Sequence, residues 1–419
     1  MKVLVVGAGG REHAILWKLK QSPKVKELYC APGNGGISEI ANLVPVEATD
    51  VEGITSFAKD NNMDFVVVAP DDPLAAGMVD ALLDAGIRAF GPNKSAAVIE
   101  ASKVFAKDLM KKYNIPTAQY EVFDDSLKAR EYIRTVSFPV VVKADGLALG
   151  KGVIICNNEK EALDAISSIM EENKFGQAGK RIVIEEYITG PEVSVLAFTD
   201  GKTIVPMVSS QDHKRAFDGD RGLNTGGMGT LAPSKYYTEA IHKQCMETIY
   251  IPTINAMNSE GRPFKGVLFF GLMLTEDGPK VLEYNARFGD PEAQVVLPLL
   301  ENDLLEIFEA IIDEKLDTID IKWKQGAAVC VVLASGGYPE KYEKGYEIKG
   351  LDKAANSPDI LIFHAGTKKA GDKYLTNGGR VLGVTAIAEN LDSARQKAYE
   401  AVSLISFKDM HYRKDIGIK

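Results

Sequence analysis

Two oxygen-bearing side chains near the end of one apolar segment could hold a divalent cation. Glu283 and Asn285 stand two positions apart, so a strand would present both side chains on one face. The pair suits Mg²⁺, which usually takes one or two protein ligands and completes its shell with phosphate and water. Arg287 continues this face if the strand persists, and its guanidinium could stabilise a transferring phosphoryl group. A surface strand with a Glu–Arg pair is the alternative, but the apolar flank and the Gly-Asp-Pro exit favour a cleft edge.

A strand lysine and a glycine-rich loop form a second candidate site for anions. The buried run 140–143 ends in Lys143, and a lysine there is costly unless it faces a cleft or an anion. The loop 145–152 then returns into another strand, and its backbone N–H groups with Lys151 could cover nucleotide phosphates. Gly150 and Gly152 belong to this loop. By itself the loop is equally compatible with an ordinary hairpin that carries a solvated lysine.

The segment that leaves the strand after Glu185 and Glu186 could recognise a nucleotide base. Backbone donors and acceptors around Tyr187 and Ile188, beside apolar side chains, can pair with an adenine edge. Glu192, just after a Gly-Pro turn, could accept hydrogen bonds from ribose hydroxyls. Taken singly, each carboxylate is equally well explained as a surface group at a strand end.

The N-terminal strand runs into a glycine turn and the start of a helix. Backbone N–H groups at such a helix N-terminus suit a phosphate, and Arg11 would add a charge-assisted contact beside Gly9 and Gly10. A dinucleotide fingerprint would place a third glycine where Glu12 stands, which disfavours an NAD(P) dehydrogenase. The structural alternative is that the glycines only make the turn.

These residues must be positioned by elements whose pattern changes along the chain. In the first 90 residues, β-branched runs alternate with helical spacing, which predicts a parallel, doubly wound sheet. The predicted strands are 2–6, 26–30, 65–69 and 87–90, and the predicted helices are 11–19, 53–59, 74–84 and 95–112. Later strands are predicted at 193–198, 203–208, 267–274, 280–284 and 327–333, with a helix over 299–312.

Composition limits the classes of function. The net charge of −9 does not favour DNA or an anionic membrane as a partner. The four cysteines are far apart in sequence, so we expect small buried side chains rather than a disulfide framework or a zinc site. No apolar run approaches the ~18–20 residues that span a bilayer. We therefore expect a cytoplasmic protein without a nucleic-acid or membrane partner.

Longer strings resemble one family of the ATP-grasp superfamily. A helix lysine (Lys103), a strand lysine, a glycine-rich hairpin, a Glu-Glu-Tyr-Ile hinge and a Glu-x-Asn strand follow one another as in ATP-grasp enzymes. The strings 9–14, 31–34, 211–215, 224–229 (Asn-Thr-Gly-Gly-Met-Gly) and 283–292 are similar to the glycinamide ribonucleotide synthetase family. The resemblance covers essentially the whole chain.

The resemblance implies an ATP-dependent ligase that joins glycine to 5-phosphoribosylamine. Glycine's carboxylate would take the γ-phosphoryl group to give glycyl phosphate, and the sugar amine would displace the phosphate to give glycinamide ribonucleotide. The metal cofactor on Glu283 and Asn285 would be Mg²⁺ or Mn²⁺. The loop 211–229 would close to exclude water, and His213 within it is interpreted as a solvated side chain.

The resemblance also implies roles for individual residues. Catalytic roles would belong to Asp212, Lys214 and Arg287. ATP would be bound by Lys103, Lys143, Gly150, Lys151, Gly152, Glu185, Glu186, Tyr187, Ile188 and Glu192. The substrates would contact Gly9, Gly10, Arg11, Glu12, Gly33, Asn34, Asp71, Gly226, Gly227 and Met228. Asp71 departs from the glutamate that is usual in the family.

The fold implied is α/β: an ATP-grasp fold preceded by a doubly wound parallel-sheet domain and followed by a small C-terminal α+β domain. We expect boundaries at 1–100, 101–325 and 326–419, a small lid subdomain at about 117–187, and a monomer. Two alternatives stay open. Another ATP-grasp ligase or a carboxylase could use bicarbonate, which an assay with glycine against bicarbonate separates. A nucleotide-binding regulator would release no phosphate when substrates are mixed.

Overall fold

The computed structural model describes residues 1–148, 152–172 and 174–418. Its N-terminal part is a parallel sheet in the order β3-β2-β1-β4-β5, which confirms the predicted doubly wound class. The strands are β1 Lys2–Gly7, β2 Glu27–Pro32, β3 Asn42–Leu43, β4 Phe65–Val68 and β5 Ala89–Phe90. Alternate residues of β1 enter different cores: Leu4 packs with Ile54, whereas Val5 packs with Ile15. Both faces of this sheet are therefore covered by helices.

Two helices predicted as continuous in this part are broken in the structure. The helices are α1 Gly10–Leu19, α2 Val51–Asp60, α3 Asp71–Ala76, α4 Met78–Asp84, α5 Lys94–Ala101 and α6 Lys103–Lys112. Gly77 separates α3 from α4 with a left-handed φ of 96°. Ser102 separates α5 from α6 with an extended backbone, and its hydroxyl accepts a hydrogen bond from the Phe105 amide at 3.1 Å. Ser102 is thus an N-cap inside a segment whose spacing suggested one helix.

The middle of the chain forms two antiparallel sheets in the orders β6-β9-β7-β8 and β11-β10-β16-β17. The strands of the first sheet are β6 Tyr120–Phe123, β7 Val140–Ala144, β8 Val153–Cys156 and β9 Ile182–Glu186. Those of the second sheet are β10 Glu192–Thr199, β11 Ile204–Pro206, β16 Gly266–Thr275 and β17 Gly278–Asn285. Between β11 and β16 the chain forms short strands that belong to neither sheet: β12 Gln211–Asp212, β13 Arg215–Phe217, β14 Arg221–Asn224 and β15 Gly229–Ala232. The glycine-rich loop joins β7 to β8, which pair with Lys143 opposite Val153. The hairpin expected from the sequence is therefore present.

Helices cover these sheets. They are α7 Ser126–Ile133, α8 Glu159–Ile166, α9 Glu239–Cys245, α10 Ile251–Ser259, α11 Ala293–Leu299 and α12 Leu304–Ile312, with π turns at Ser167–Glu171 and Met246–Tyr250 and 3-10 turns at Ile37–Glu39, Gly176–Gly179 and Leu316–Thr318. The single helix predicted over 299–312 is wrong. Leu300 leaves helical geometry with ψ of 127°, and the Asp303 side chain caps α12 by accepting from the Leu305 amide.

The C-terminal part contains a sheet that crosses the predicted boundary at 325/326. Its strands are β18 Ala327–Ala334, β19 Glu347–Ile348, β20 Ile360–His364, β21 Thr367–Ala370, β22 Lys373–Thr376 and β23 Arg380–Ala388, with helices α13 Leu351–Ala354 and α14 Leu391–Leu404. The sheet order is β12-β15-β18-β23-β20, so strands of the central segment pair with β18. A smaller sheet has the order β19-β22-β21.

The four cysteines are buried and unpaired, as the sequence predicts. None of the helices in the described ranges is long and apolar enough to cross a membrane.

Candidate functional site

One cavity of about 510 Å³ lies where the N-terminal, central and C-terminal parts meet. The predicted site residues that line it are Arg11, Asp71, Lys103, Lys143, Gly152, Glu185, Asp212, Lys214, Gly226, Glu283, Asn285 and Arg287. They come from separate elements, so the tertiary fold brings the catalytic and the binding candidates to one wall.

Two lysines converge on one carboxylate in this wall. The Nζ atoms of Lys143 and Lys107 lie 2.9 Å and 3.0 Å from the same oxygen of Glu185, Oε2. The other oxygen, Oε1, is buried and has no hydrogen-bond partner among the described residues. Burial lowers the pKa of Lys107 to about 8, against the opposing effect of Glu185. The unpartnered oxygen can accept a hydrogen bond from a ligand amino group.

Lys103 is positioned by the N-terminus of α6. Asp145, in the glycine-rich loop, accepts hydrogen bonds from the Ser102 hydroxyl at 2.8 Å and from the Val104 amide at 2.9 Å. The Lys103 Nζ donates to the Gly146 carbonyl at 3.2 Å. Burial lowers the pKa of Lys103, although Glu283 opposes this. The cap therefore joins the loop to the helix that carries this lysine, and the lysine faces the cavity.

The end of β17 presents the predicted metal ligands to the cavity. Glu283 and Asn285 both line it, as the alternation along the strand requires. Lys214 lies 3.6 Å from Glu283 and also pairs with Glu192. Burial tends to raise the pKa of Glu283, but Lys214, Lys143 and Lys103 outweigh burial and lower it. Glu283 is therefore held as a carboxylate.

The donor set fits a divalent cation that arrives with phosphate. No group of three or more Asp, Glu, His or Cys side chains within the described ranges could hold a metal by itself. The end of β17 offers one carboxylate, from Glu283, and one amide oxygen, from Asn285. Mg²⁺ bound to a nucleotide typically takes a small number of such oxygen ligands from the protein. The fit depends on Glu283 and Asn285 together.

Arg287 carries an unused donor at the cavity wall. Its Nη2 lies 2.9 Å from Glu100 and 3.8 Å from Asp71, and it donates to Asn285 Oδ1 at 3.3 Å. Its Nε is buried without a hydrogen-bond partner in the part of the chain that the structure describes. Burial raises the pKa of Glu100 despite Arg287. A buried guanidinium N–H without a protein acceptor suits an anionic ligand oxygen.

The loop that carries Asp212 and Lys214 is part of the wall. Burial and the neighbouring Glu292 raise the pKa of Asp212 well above its usual range. Burial tends to lower the pKa of Lys214, but Glu192 and Glu283 raise it well above the ordinary value. The interpretation of His213 as solvated is wrong: it is 5% exposed, and its Nδ1 lies 3.1 Å from the Gly229 carbonyl.

The N-terminal glycine turn is tightly packed. The Gly9 amide donates to Glu12 Oε2 at 2.5 Å, so this donor is already satisfied within the turn. A side chain at Gly10 would meet Gln294 of α11 at 2.5 Å, which gives a packing reason for that glycine. Arg11 lines the cavity; its Nε donates to Glu12 at 2.5 Å and its Nη1 donates to the Phe288 carbonyl at 3.2 Å.

Asn34 joins the N-terminal part to the C-terminal part. Its Nδ2 donates to the carbonyls of Ala8 and His364, both at 2.8 Å, and its Oδ1 accepts from the amides of Gly36 and Ile37. This side chain is therefore fully engaged in the protein.

Other predicted residues lie outside the cavity wall or outside the described ranges. Those not in the wall are Gly9, Gly10, Glu12, Gly33, Asn34, Glu186, Tyr187, Ile188, Glu192, Gly227 and Met228. Met228 is fully buried, and Tyr187 is exposed. Gly150 and Lys151 lie outside the described residues. Their predicted roles stay predictions.

The sequence interpretation missed several residues of the wall: Glu100, Lys107, Asp290, Glu292, Tyr338 and Arg380. Lys107 could have been found, because it follows Lys103 by four positions and shares its helix face. Arg380 had no local signal. It donates to the carbonyls of Gly226 at 2.5 Å and Asp290 at 2.7 Å, and both acceptors are far away in sequence.

Comparisons with known proteins agree along the whole chain. Family models of phosphoribosylglycinamide synthetase match the N domain at residues 1–100, the ATP-grasp (A) domain at 101–293 and the C domain at 328–419. A phosphoribosylamine–glycine ligase from Halalkalibacterium halodurans is 49% identical over 100% of this chain and 97% of its own. The crystal structure of such a ligase from Thermotoga maritima has a TM-score of 0.85 and 35% identity, covering 99% of this chain and 100% of that chain. Biotin carboxylase from Campylobacter jejuni shares the fold alone, with a TM-score of 0.74 and 15% identity over 100% of this chain and 94% of that chain.

Proposed function

The chain belongs to the phosphoribosylglycinamide synthetase family, and from this membership we propose how its cavity carries out the reaction. The reaction is an ATP-dependent ligation of glycine to 5-phosphoribosylamine in purine biosynthesis. One observation supports the proposal most: a single cavity is lined by Lys143, by the Glu283–Asn285 pair and by Arg11. A nucleotide, a cation and a sugar phosphate can therefore meet there.

In the first step, a carboxylate oxygen of glycine attacks the γ-phosphorus of ATP, and the bond to the β-phosphate oxygen breaks. This gives ADP and glycyl phosphate. Lys103 and Lys143 neutralise phosphate charge, and the unused Nε–H of Arg287 donates to the transferring group. Positioning and electrostatics carry the rate, since no side-chain nucleophile is required.

In the second step, the amine of phosphoribosylamine attacks the acyl carbon, and phosphate leaves. The attacking nitrogen must lose a proton. Asp212 lines the cavity, where its carboxylate can accept this proton. We assign it the role of proton acceptor.

The proposal includes Mg²⁺, with Mn²⁺ as a substitute, on Glu283 and Asn285. When bound, this cation would neutralise charge on the β- and γ-phosphates. It also includes a cytoplasmic monomer, as expected from the sequence. Carboxylation with bicarbonate is not favoured, since the similarity to biotin carboxylases is one of fold alone whereas the ligases are close relatives over the full chain.

An isotope experiment tests the mechanism. If glycyl phosphate forms, one carboxylate oxygen of glycine ends in inorganic phosphate. With glycine labelled with ¹⁸O in its carboxylate, mass spectrometry of the phosphate should show one labelled oxygen per molecule. Unlabelled glycine in ¹⁸O-water is the control and should give unlabelled phosphate. Label from water alongside normal product would contradict the acyl phosphate.

A variant at the N-terminal turn tests which substrate is bound there. Arg11→Ala should raise KM for phosphoribosylamine by about 10- to 100-fold, because a charge-assisted hydrogen bond is lost. KM for ATP should change little, since Lys103, Lys143 and Glu185 lie on other elements. Arg134→Ala, at an exposed arginine 3.7 Å from Glu159, is the control. If KM for ATP rises instead, the turn does not serve the sugar phosphate.

A further inference from the structure

The C-terminal segment 411–416 holds the loop that carries Asp212 and Lys214. The hairpin 215–224, made of β13 and β14, follows Lys214 directly, and the chain then returns to the cavity at Thr225 and Gly226. The hairpin itself lies outside the cavity apart from Asn224 at its end. A contact that holds the hairpin in place therefore also holds Asp212 and Lys214, which precede it in the chain.

Arg413 lies at the centre of this contact. Its side chain is completely buried, and its Nη1 donates to the Arg215 carbonyl at 3.1 Å and lies 2.9 Å from Asp220. Its Nε and Nη2 form a two-pronged pair with the Asp415 carboxylate, both at 2.7 Å. A buried guanidinium needs such complete pairing, because an unpaired charge there is strongly destabilising.

Backbone contacts extend this attachment along the hairpin. The His411 Nε2 lies 2.7 Å from the Ala216 carbonyl. Asp415 accepts from the Gly219 amide at 2.8 Å, and the Lys414 amide donates to Asp218 at 2.7 Å. The hairpin is therefore tied at its first strand and at its turn to a single stretch of the C-terminal segment.

The C-terminal segment is itself anchored on α14. The Tyr399 hydroxyl donates to the Arg413 carbonyl at 2.7 Å and accepts from the Ile416 amide at 3.1 Å. Arg395 donates to the carbonyls of Ile416 and Lys414 at 3.0 Å and 3.1 Å. The hairpin is thus connected to the core of the C-terminal part rather than to another surface loop.

On its other side, the loop meets the reaction centre. Lys214 lies 3.6 Å from Glu283, and its carbonyl accepts from the Thr225 amide at 2.8 Å, which closes the base of the hairpin. Gly226 is bound by Arg380 and donates its amide to the Tyr338 hydroxyl at 3.1 Å. A shift of the hairpin would therefore move Lys214 relative to the metal-binding carboxylate.

We propose that Arg413 is a positioning residue, which ties the segment 411–416 to the hairpin 215–224 and so holds Asp212 and Lys214 in the cavity. This inference rests on the proposed function for the roles of those two residues. It also restricts the loop closure expected from the sequence: the hairpin is fixed by Arg413, so only the parts of the loop next to the cavity are free to adjust.

The test compares Arg413→Met and Arg413→Lys in the full-length enzyme with the wild type. Assays should measure kcat, KM for each substrate, and the ratio of ADP formed to glycinamide ribonucleotide formed. For Arg413→Met we expect kcat to fall by about 10- to 100-fold, because small misplacement of catalytic groups has effects of this size. The ADP-to-product ratio should rise above one as water reaches the intermediate. KM for ATP should stay within about 2-fold.

Arg413→Lys should recover part of kcat and bring the ADP-to-product ratio closer to one, since lysine retains the charge but not the two-pronged geometry. Lys408→Met is the control just before this segment, because Lys408 is exposed and its Nζ donates to the Tyr346 hydroxyl at 3.3 Å, away from the hairpin. If Arg413→Met does not fold, Asp220→Asn removes the charge of a partly exposed partner and should show a smaller change in the same direction.

The outcomes separate the two proposals. Wild-type enzyme that forms no glycinamide ribonucleotide would contradict the proposed function. If the wild-type enzyme is active but the variants keep its ADP-to-product ratio and its kcat per folded molecule, the role proposed for Arg413 is wrong. A loss of folded protein alone, with normal coupling in the remainder, would also overturn it, because the arginine would then be structural only.

Discussion

Glu283→Gln is expected to lower kcat by about 10³-fold, because the cation loses its charged ligand and several kcal/mol of phosphate stabilisation. Glu283 is the one carboxylate of the predicted metal pair on β17, and Lys214, Lys143 and Lys103 hold it ionised by lowering its pKa. Glutamine keeps the size of the side chain and removes the charge. Steady-state kinetics over a range of Mg²⁺ concentrations should show the loss at every concentration.

Glu276→Gln is the matched control for this variant. Glu276 is exposed in the turn between β16 and β17, so the same chemical change occurs in the same hairpin outside the cavity. It should leave kcat within about 2-fold, as expected for surface substitutions. Near wild-type kcat for Glu283→Gln in saturating Mg²⁺ would remove Glu283 from the metal site.

Arg287→Met should lower kcat by about 10²- to 10³-fold, the usual effect of removing a donor that stabilises transition-state charge. The unpartnered Nε–H of Arg287 would be lost, and so would the ion pair with Glu100 at 2.9 Å. The pKa of Glu100, already raised by burial, should rise further without its cation. Kinetics at several pH values, with a thermal denaturation curve, separate the catalytic loss from a loss of stability.

Two further variants make this result specific. Arg287→Lys should recover only part of the activity, because an ammonium cannot reproduce the planar arrangement of guanidinium donors. Arg262→Met removes a half-buried arginine whose Nη1 donates to the Ser95 carbonyl at 2.9 Å, away from the cavity, and should keep kcat. Equal losses in Arg287→Met and Arg262→Met would point to stability rather than to phosphoryl transfer.

The parts of the site that could be predicted are those in which the residues concerned are close together in the sequence. Glu283 and Asn285 share a face because side chains alternate along any strand, whatever packs around it. Lys143 was identifiable because a lysine in an apolar run must find an anion or a cleft. The β-branched runs and helical spacings of the first 90 residues likewise predicted the parallel sheet that the structure contains.

The errors arose where a local pattern has two structural outcomes. Ser102 has no glycine or proline beside it, and only its capping hydrogen bond shows that two helices meet there. His213 stands among charged residues in the sequence, yet it is buried in the structure and its Nδ1 lies 3.1 Å from the Gly229 carbonyl. The Ser102 hydroxyl also donates to Asp145, and both Asp145 and Gly229 are remote in sequence from the residues they contact, so spacing alone could not decide either case.

By itself, the sequence determined the parallel sheet of the first 90 residues, the strands that carry Lys143 and Glu283, and the family to which its strings belong, because each follows from a few neighbouring residues. Only the tertiary structure decided that Arg380 and Tyr338 of the C-terminal part enter the same cavity as Arg11. It likewise decided that β15 pairs with β18 across the predicted boundary, and that Arg413 binds a hairpin about 200 positions earlier. Such contacts form when whole surfaces pack together, and their energy depends on that packing rather than on any local periodicity.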